Sequence, residues 1–377
     1  MHGDQSRIPG QTSESLTIQL NCLPHRAVLE EKWLSLESRS DCSYFVSWSW
    51  IGCWLDSLPQ YIEPSLIEVS DGTKIVALGL LVQRAYRRRF VLPVAGAFLN
   101  TTGVAALDAV TIEYNDLLVD RSSGDTLRHQ VVQSLLAPGS GIEEFSADGM
   151  LASAEWARFA PAGFSVSERE EICRSVDLRA VRTRGDFLAL LSANTRSNVR
   201  RSHKEFAKLG KIKIEAASDL DMARSMYSTL QQLHGEYWSS RGQKGVFSNS
   251  FLREFHRQLI EARFAFGEIQ LISIAVGSHI VGVLYNFVYR GRVYSYQSGF
   301  DYHYAGKQNR PGLVAHSLAI ELNAQLGNDV YDFMAGDSQY KRSLSTHEAS
   351  MRWVKFQKSC AKFRIENWFR HLKRGLA

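Results

Sequence analysis

Few features of this sequence tie it to a metal, a disulfide framework or a membrane span. Its 377 residues contain five cysteines, at positions 22, 42, 53, 173 and 360. None forms a CxxC pair or a cluster with histidine at the spacing of a metal site. No segment approaches the roughly 20 apolar residues that cross a bilayer, and the polar start of the chain lacks the apolar core of a signal peptide. We therefore predict reduced thiols, no metal centre and a cytoplasmic location.

The sequence also lacks a strong charge of either sign. Lys and Arg number 44 against 39 Asp and Glu, which gives a formal net charge of +5. This excess suits anionic small molecules or a membrane surface, but it is too weak to indicate nucleic acid by itself, and we expect no DNA partner. A hydrophobic content of 45% and a charged content of 22% are typical of a globular protein.

The order of predicted elements divides the chain. We predict a disordered tail (1–14), an N-terminal half with a connector (15–185), a C-terminal half (186–361) and a basic amphipathic helix (362–377). The C-terminal half reads strand, helix, helix, three-strand meander, helix, strand, strand, and the N-terminal half repeats this order loosely. For each half, this order of elements predicts an α/β (α+β) fold with a mixed and mostly antiparallel sheet flanked by helices. Residues 151–185 show no clear period, and we interpret them as the connection.

Two stretches have a clear helical period. Trp50, Trp54 and Leu58 are spaced four apart, which favours a helix that buries its aromatic side chains in the core over an aromatic ligand box. Further along the chain, cations recur every four residues from Arg196 to Lys208 and form one stripe. A solvated helix face explains this stripe; the alternative is contact with a polyanion such as a cofactor phosphate, an acidic acceptor or tRNA.

The terminal helix, 362–377, combines basic residues with Phe363, Trp368, Phe369 and Leu372. Such a helix can lie on an anionic membrane, which would place the protein at the inner face of the inner membrane. Docking on the protein with the basic face outward is the alternative that we favour.

The stretch from Tyr294 to Lys341 has the order of an anion site. A strand is followed by a basic loop, then by Pro311 and Gly312 at the start of an apolar helix, then by a strand. The first turn of a helix leaves backbone N–H groups unpaired and carries the positive end of the helix dipole. Lys307 and Arg310 add positive charge. We interpret this stretch as the seat of a phosphorylated cofactor; an ordinary crossover with solvated charges is the alternative.

Three passages resemble the GNAT acyltransferase superfamily, in particular its CelD-like branch, named for cellulose-biosynthesis proteins. The first runs from Trp33-Leu34-Ser35-Leu36 to Phe45-Val46-Ser47-Trp48-Ser49-Trp50. The second joins Leu191–Arg201 to Leu233–Phe247, and the third is Tyr331-Asp332-Phe333-Met334 with Gly336-Asp337-Ser338-Gln339-Tyr340-Lys341. The order of these short passages, over nearly the whole chain, makes the resemblance specific.

The resemblance implies acyl transfer from acetyl-CoA or a longer acyl-CoA to an amine or hydroxyl of a small-molecule or glycan acceptor, in polysaccharide or cell-envelope biosynthesis. The cofactor pyrophosphate would bind Lys307, Gln308, Asn309, Arg310 and Gly312, although only Gly312 beside Arg310 matches the usual glycine-rich loop. The tandem arrangement is also similar to the Fem aminoacyltransferases, which use aminoacyl-tRNA. A non-catalytic GNAT-like binding module is the third alternative.

Acyl transfer requires a base, a group that stabilises the oxyanion and close positioning of two substrates. His234 and Glu236 are candidate bases, and a structural role at a helix end is their alternative. Asp332 and Asp337 could act as the base or orient the acceptor. Tyr340 could protonate the leaving thiolate and Lys341 could bind phosphate or carboxylate, whereas a salt-bridged turn would explain Asp337–Lys341 without chemistry.

Overall fold

The computed structural model describes residues 16–88, 92–124, 126–157, 160–304 and 310–366. Within these ranges, thirteen strands form one continuous mixed sheet. They are β1 (Thr17–Cys22), β2 (Pro64–Asp71), β3 (Lys74–Arg88), β4 (Leu92–Leu99), β5 (Leu118–Val119), β6 (Glu144–Leu151), β7 (Phe164–Asp177), β8 (Ile212–Ala216), β9 (Ile269–Val276), β10 (His279–Tyr289), β11 (Arg292–Phe300), β12 (Val330–Ala335) and β13 (His347–Lys358).

Helices pack on both faces of this sheet. They are α1 (Arg26–Glu37), α2 (Trp48–Ser57), α3 (Thr126–Leu135), α4 (Leu178–Arg184), α5 (Ala193–Leu209), α6 (Leu220–Ser239), α7 (Ser250–Arg263), α8 (Pro311–Gln325) and α9 (Gln339–Leu344). Helix α8 lies against one core and α6 and α7 against another, because alternate residues of β9 to β11 point to opposite faces. No helix in the described ranges is long and apolar enough to cross a membrane.

The two halves share one topology. Strands β1 to β4 are antiparallel neighbours and β6 is parallel to β4; likewise β8 to β11 are antiparallel neighbours and β12 is parallel to β11. The final strands are exchanged between the halves. Strand β7 of the first half pairs with β12, and β13 of the second half pairs with β6. The predicted α/β fold, with a mixed and mostly antiparallel sheet in each half, is confirmed.

The stretch 151–185, interpreted as a connection, contains the central strand β7. The sequence does not predict this strand, because Glu168 to Glu171 are four consecutive charged residues and do not alternate between apolar and polar side chains. Pairing stabilises it instead: β7 and β13 match at twelve residue pairs, and Arg352 lies within ion-pair distance of Glu168 and Glu170.

The aromatic stripe is core, as predicted. Trp50 and Trp54 of α2 are buried. The Trp50 ring lies 4.9 Å from that of Phe255 on α7, and the Tyr44 ring lies 4.8 Å from that of Phe287 on β10. The N-terminal half therefore supplies part of the core that supports the C-terminal sheet.

Candidate active site

The C-terminal sheet splits where its two parallel strands separate. Strands β11 and β12 pair only from Arg292–Val330 to Tyr294–Asp332. Tyr285 faces Gln297 and Asn286 faces Ser295, so Tyr296 is an extra, bulged residue of β11 without a partner in this pairing. The cleft between the separated strands measures about 260 Å³. It is lined by Thr111, Glu113, Ser295, Tyr296, Gln297, Ser298, Phe333, Met334, Ala335, Tyr340 and Lys341. We call this cleft the C-terminal split.

Helix α8 begins at the same end of the sheet, because it follows β11 and leads back to β12. Pro311 occupies its first turn, which contains no acidic residue and has no side-chain cap. The N–H groups of Leu313 and Val314 donate to the Arg310 carbonyl, whereas no acceptor for the Gly312 N–H lies among the described residues. Arg310 is exposed. The predicted phosphate-binding residues Lys307, Gln308 and Asn309 lie outside the described residues.

Tyr340 and Lys341 both line the split. The Tyr340 ring stacks on that of His316 in α8, with ring centroids 4.8 Å apart, so it joins the split to the helix. Burial raises the pKa of Tyr340 to about 12, and the hydroxyl keeps its proton at neutral pH. Burial lowers the pKa of Lys341, although the charges of Glu113 and Asp332 oppose this effect. The Lys341 Nζ donates to the Ala335 carbonyl.

Glu113 also lines the split, although it belongs to the N-terminal half. Its Oε2 accepts a hydrogen bond from the Ala335 N–H at 2.7 Å. Burial raises the pKa of Glu113, and the Ala335 hydrogen bond and the Lys341 charge oppose that rise. The sequence analysis missed this residue, because no local pattern marks a contact between positions so far apart in the chain.

The two predicted bases on α6 lie outside the lining of the split. His234 is buried; its Nε2 accepts a hydrogen bond from the Trp238 Nε1 at 2.9 Å, and its ring packs edge-on to Phe247. Burial lowers the pKa of His234 to about 4, so this imidazole is neutral at pH 7. Glu236 is exposed and accepts a hydrogen bond from Gln232.

Asp332 and Asp337 are also not among the residues that line the split. The buried Asp332 carboxylate accepts from Arg292 at 2.7 Å and from the Met334 N–H at 2.7 Å. It faces a second cavity, of about 460 Å³, which lies between the two halves. Asp337 is half-exposed and pairs with Arg174 and Arg342, so it belongs to a salt-bridged turn.

The equivalent split of the N-terminal half is filled. Strands β4 and β6 pair only from Gly96–Glu144 to Phe98–Ser146, and the buried side chain of Asn115 lies between them where they separate. Its Nδ2 donates to the carbonyls of Leu99 and Asp148, each at 3.0 Å. Its backbone N–H donates to the Gly149 carbonyl at 3.0 Å. This first split therefore has no room for a ligand between its strands.

The cationic stripe of α5 lies at the surface. Thr195, Val199, Ser202 and Phe206 form the buried face of the helix. Arg200, Lys204 and Lys208 are exposed, and Lys208 pairs with Glu205 on the same helix. A groove of about 460 Å³ separates this helix from α8.

The described turn 361–366 of the C-terminal helix is docked on the N-terminal half. Phe363 is buried, Lys362 pairs with Glu143, and Arg88 pairs with Glu366. Trp368, Phe369 and Leu372 lie outside the described residues.

Comparisons with known proteins identify the C-terminal half. Residues 193–342 match the family of acetyltransferase (GNAT) domains, and the match includes β11, β12 and α9, which the C-terminal half contributes to the split. The predicted resemblance to the GNAT superfamily is confirmed for these residues. No curated protein sequence matches the chain.

Solved structures share the fold at low sequence identity. FemX is similar with a TM-score of 0.57 and 9% identity, over 90% of this chain and 98% of FemX. The C-terminal domain of a putative lysylphosphatidylglycerol synthetase from Agrobacterium fabrum has a TM-score of 0.53 and 11% identity, over 88% of this chain and 92% of that domain. The predicted distant similarity to Fem proteins is therefore supported as one of fold. The CelD-like branch stays a prediction.

Proposed function

We propose that this protein is an acyltransferase that moves an acyl group from acetyl-CoA or a longer acyl-CoA to an amine or hydroxyl of a small-molecule or glycan acceptor. The observation that carries the proposal is the difference between the two splits. The C-terminal split is open and lined by polar side chains, whereas Asn115 fills the N-terminal one. Of the two splits, the C-terminal one therefore has the room that a thioester needs.

The residues around the open split suit such a donor. Arg310 and the first turn of α8 would hold the diphosphate, because that turn has no acidic residue and no side-chain cap. The predicted Lys307, Gln308 and Asn309 belong to the same proposal. Beyond Tyr294, β11 no longer pairs with β12, and its residues Ser295 to Ser298 line the split, where their backbone polar groups would bind a thioester carbonyl.

The chemistry needs a proton donor for the departing sulfur. The acceptor nitrogen or oxygen bonds to the thioester carbonyl carbon and gives a proton to a base, the carbon–sulfur bond breaks, and the sulfur takes a proton from a donor that solvent then reprotonates. Tyr340 is protonated and lines the split, so its hydroxyl can donate to the sulfur. Lys341 supplies positive charge beside the negative charge that develops. His234, with a pKa of about 4, and the exposed Glu236 are poorly placed to act as the base. Asp332 and Asp337 are held by arginines.

The proposal is tested by transfer of labelled acyl groups. The full chain is incubated with radiolabelled acetyl-CoA or a longer acyl-CoA and with a panel of amines, amino sugars and glycans. We expect label in at least one acceptor. Absence of both acyl-CoA binding and transfer contradicts the proposal and leaves the tRNA-dependent transferase and the non-catalytic module.

A second candidate function follows from the exposed cations of α5. The resemblance to Fem proteins implies an aminoacyl-tRNA donor, and Arg200 and Lys204 present charge that a phosphate backbone would contact. The triple variant Arg196→Glu, Arg200→Glu and Lys204→Glu should then weaken tRNA binding and flatten its salt dependence. Reversal of three other exposed cations, Lys213, Lys244 and Arg364, is the matched control. Equal tRNA binding by the two triple variants contradicts this candidate.

We also propose a membrane contact and a role in a biosynthetic pathway. An acceptor in polysaccharide or cell-envelope biosynthesis would fit an enzyme that works at the inner face of the inner membrane, with the basic C-terminal helix as the contact. Sedimentation with anionic and neutral liposomes checks this, and equal sedimentation with both contradicts it.

A further inference from the structure

We propose that Glu113 takes the proton from the acceptor in the C-terminal split. Glu113 belongs to the N-terminal half and lies on the loop that fills the split of that half. The inference rests on the proposed function and adds the base that the C-terminal half does not place in its own split. Four observations carry it: the anchoring of the loop, its backbone conformation, the orientation of the carboxylate and the surrounding charges.

The loop is anchored at both ends of a short segment. Asn115 binds the carbonyls of Leu99 and Asp148 on the two separated strands of the N-terminal half. Toward the other end, the hydroxyl of Tyr296, the bulged residue of β11, donates to the Val110 carbonyl at 2.6 Å. Glu113 lies between these anchors. The segment that closes one split is therefore fixed to the strand that borders the other.

The backbone on both sides of Glu113 is strained. Thr111 has φ 32° and Tyr114 has φ 52°, which places two residues with a Cβ in the left-handed region. Such conformations are unfavourable and persist where the surrounding structure enforces them, often at functional sites. This conformation places the side chains of two successive residues in different cavities, Glu113 in the C-terminal split and Tyr114 in the cavity between the halves.

The carboxylate has one oxygen held and one available. Oε2 accepts from the Ala335 N–H at 2.7 Å, which orients the group. Among the residues that the structure describes, none donates a hydrogen bond to Oε1. A proton on an acceptor nitrogen or oxygen within the split can pass to Oε1 as the bond to the thioester carbon forms. The proton then leaves to solvent after transfer, and the carboxylate is restored.

The titratable groups that interact electrostatically with Glu113 come from four elements. They are Lys341 on α9, Asp332 on β12, Cys173 on β7 and Tyr296 on β11. The Lys341 charge favours the carboxylate, whereas burial and the Asp332 charge favour the protonated acid. A base acts best when its pKa lies near the working pH, and a raised carboxyl pKa moves toward that value.

The test compares Glu113→Gln with wild type on two readouts. Isothermal calorimetry measures acetyl-CoA binding, and transfer from labelled acetyl-CoA is followed as a function of pH with two probe nucleophiles, glucosamine and hydroxylamine. We expect unchanged acetyl-CoA affinity, a loss of about 100- to 10,000-fold in glucosamine acylation and a shallower acid limb of its pH profile, because only the protonation of the glucosamine amine then sets that limb. The loss should be smaller with hydroxylamine, a weak base that is already unprotonated near neutral pH.

Each other outcome overturns a distinct claim. Glucosamine transfer within threefold of wild type, or an unchanged acid limb, overturns the role of Glu113 while the proposed function stands. A loss of acetyl-CoA binding in Glu113→Gln also overturns it, because the residue would then shape the donor site. Failure of wild type to bind acetyl-CoA overturns the proposed function and this inference together. Should Glu113→Gln not fold, Glu113→Asp keeps the carboxylate and should transfer more slowly with its acid limb retained; an undiminished rate would contradict the proposal.

Discussion

Glu113 and Lys341 come from opposite halves of the chain and bind the two backbone polar groups of one residue, Ala335. Glu113 accepts from its N–H, and Lys341 donates to its carbonyl. Ala335 is the last residue of β12, where this strand has left β11. The end of the C-terminal split is therefore held by both halves, and neither half builds the site alone.

Glu113 should reduce stability at neutral pH, because its folded pKa lies above the value of about 4.3 for an unfolded chain. At pH values above both, the buried charge costs free energy, and this cost disappears as pH falls below the unfolded value. Glu113→Gln keeps an acceptor for Ala335 and removes the charge. We expect its melting temperature at pH 7 to equal or exceed that of wild type, by differential scanning calorimetry.

Glu143→Gln is the matched control with the opposite sign. Burial alone would raise the pKa of Glu143, but hydrogen bonds from Lys362 and from the Ala95 N–H lower it. Its charge therefore stabilises the fold above the unfolded pKa, and this contribution is lost as pH falls through the lowered folded value. Glu143→Gln should melt below wild type at pH 7, with the deficit shrinking toward acid pH. A large loss of stability in Glu113→Gln would mark Glu113 as a structural ion-pair partner.

Lys341→Met should slow acyl transfer on the order of 100-fold, the loss typical when a donor to a developing oxyanion is removed. Because burial lowers the pKa of Lys341, its charge is lost at a lower pH than that of an ordinary lysine. The wild-type rate should therefore fall on the alkaline side, and Lys341→Met should lack that limb. Steady-state kinetics across pH measure both effects.

Arg342→Met removes the neighbouring cation, which pairs with Asp337 at the surface, and serves as the control. Its rate and pH profile should match those of wild type. Equal effects of the two substitutions would show that general charge, and not the position of Lys341, controls the rate.

Asn115→Ala should release the loop that carries Glu113. The substitution leaves the carbonyls of Leu99 and Asp148 without their donor, which we expect to cost about 2 kcal/mol or more in the free energy of unfolding. Transfer should fall, whereas acetyl-CoA affinity should be unchanged. Urea denaturation and calorimetry measure these quantities, with Asn21→Ala on the exposed edge strand as the control. If Asn115→Ala transfers the acyl group at the wild-type rate, the filling of the N-terminal split does not contribute to catalysis.

His234→Ala should affect stability more than the pH dependence of the reaction. The substitution removes the acceptor of the Trp238 indole N–H, a loss of about 1–3 kcal/mol. Since the pKa of His234 is about 4, this side chain does not titrate between about pH 5 and 8. The shape of the transfer profile in that range should be the same with and without it. If a limb of the pH–rate profile disappears in His234→Ala, His234 acts as the base and this prediction is wrong.

The sequence predicts much of the secondary structure around the C-terminal split. The alternation of β11, the start of α8 at Pro311 and the short apolar β12 are local patterns, and they predict a strand–loop–helix–strand unit with Tyr340 and Lys341 beyond it. Local patterns also predicted that Trp50 is core.

Contacts between distant parts of the chain could not be read in the same way. Strand β7 carries a charged run because it is stabilised by pairing on both edges and by cross-strand ion pairs with Arg352, not by an apolar face. Glu113 reaches the C-terminal split on a loop that fills the N-terminal one. Neither arrangement leaves a period or a motif, since each depends on contacts between residues far apart in the sequence.

The proposal that acyl-CoA binds in the C-terminal split is tested most directly by calorimetry on a blocked variant. Gln297 lines this split, and Gln297→Trp should fill it. Gln19→Trp makes the same change on the exposed strand at the far edge of the sheet. Titration with acetyl-CoA should give saturable binding to wild type and to Gln19→Trp, and at least tenfold weaker binding to Gln297→Trp. Equal affinity for all three proteins, or binding to none, would contradict the account.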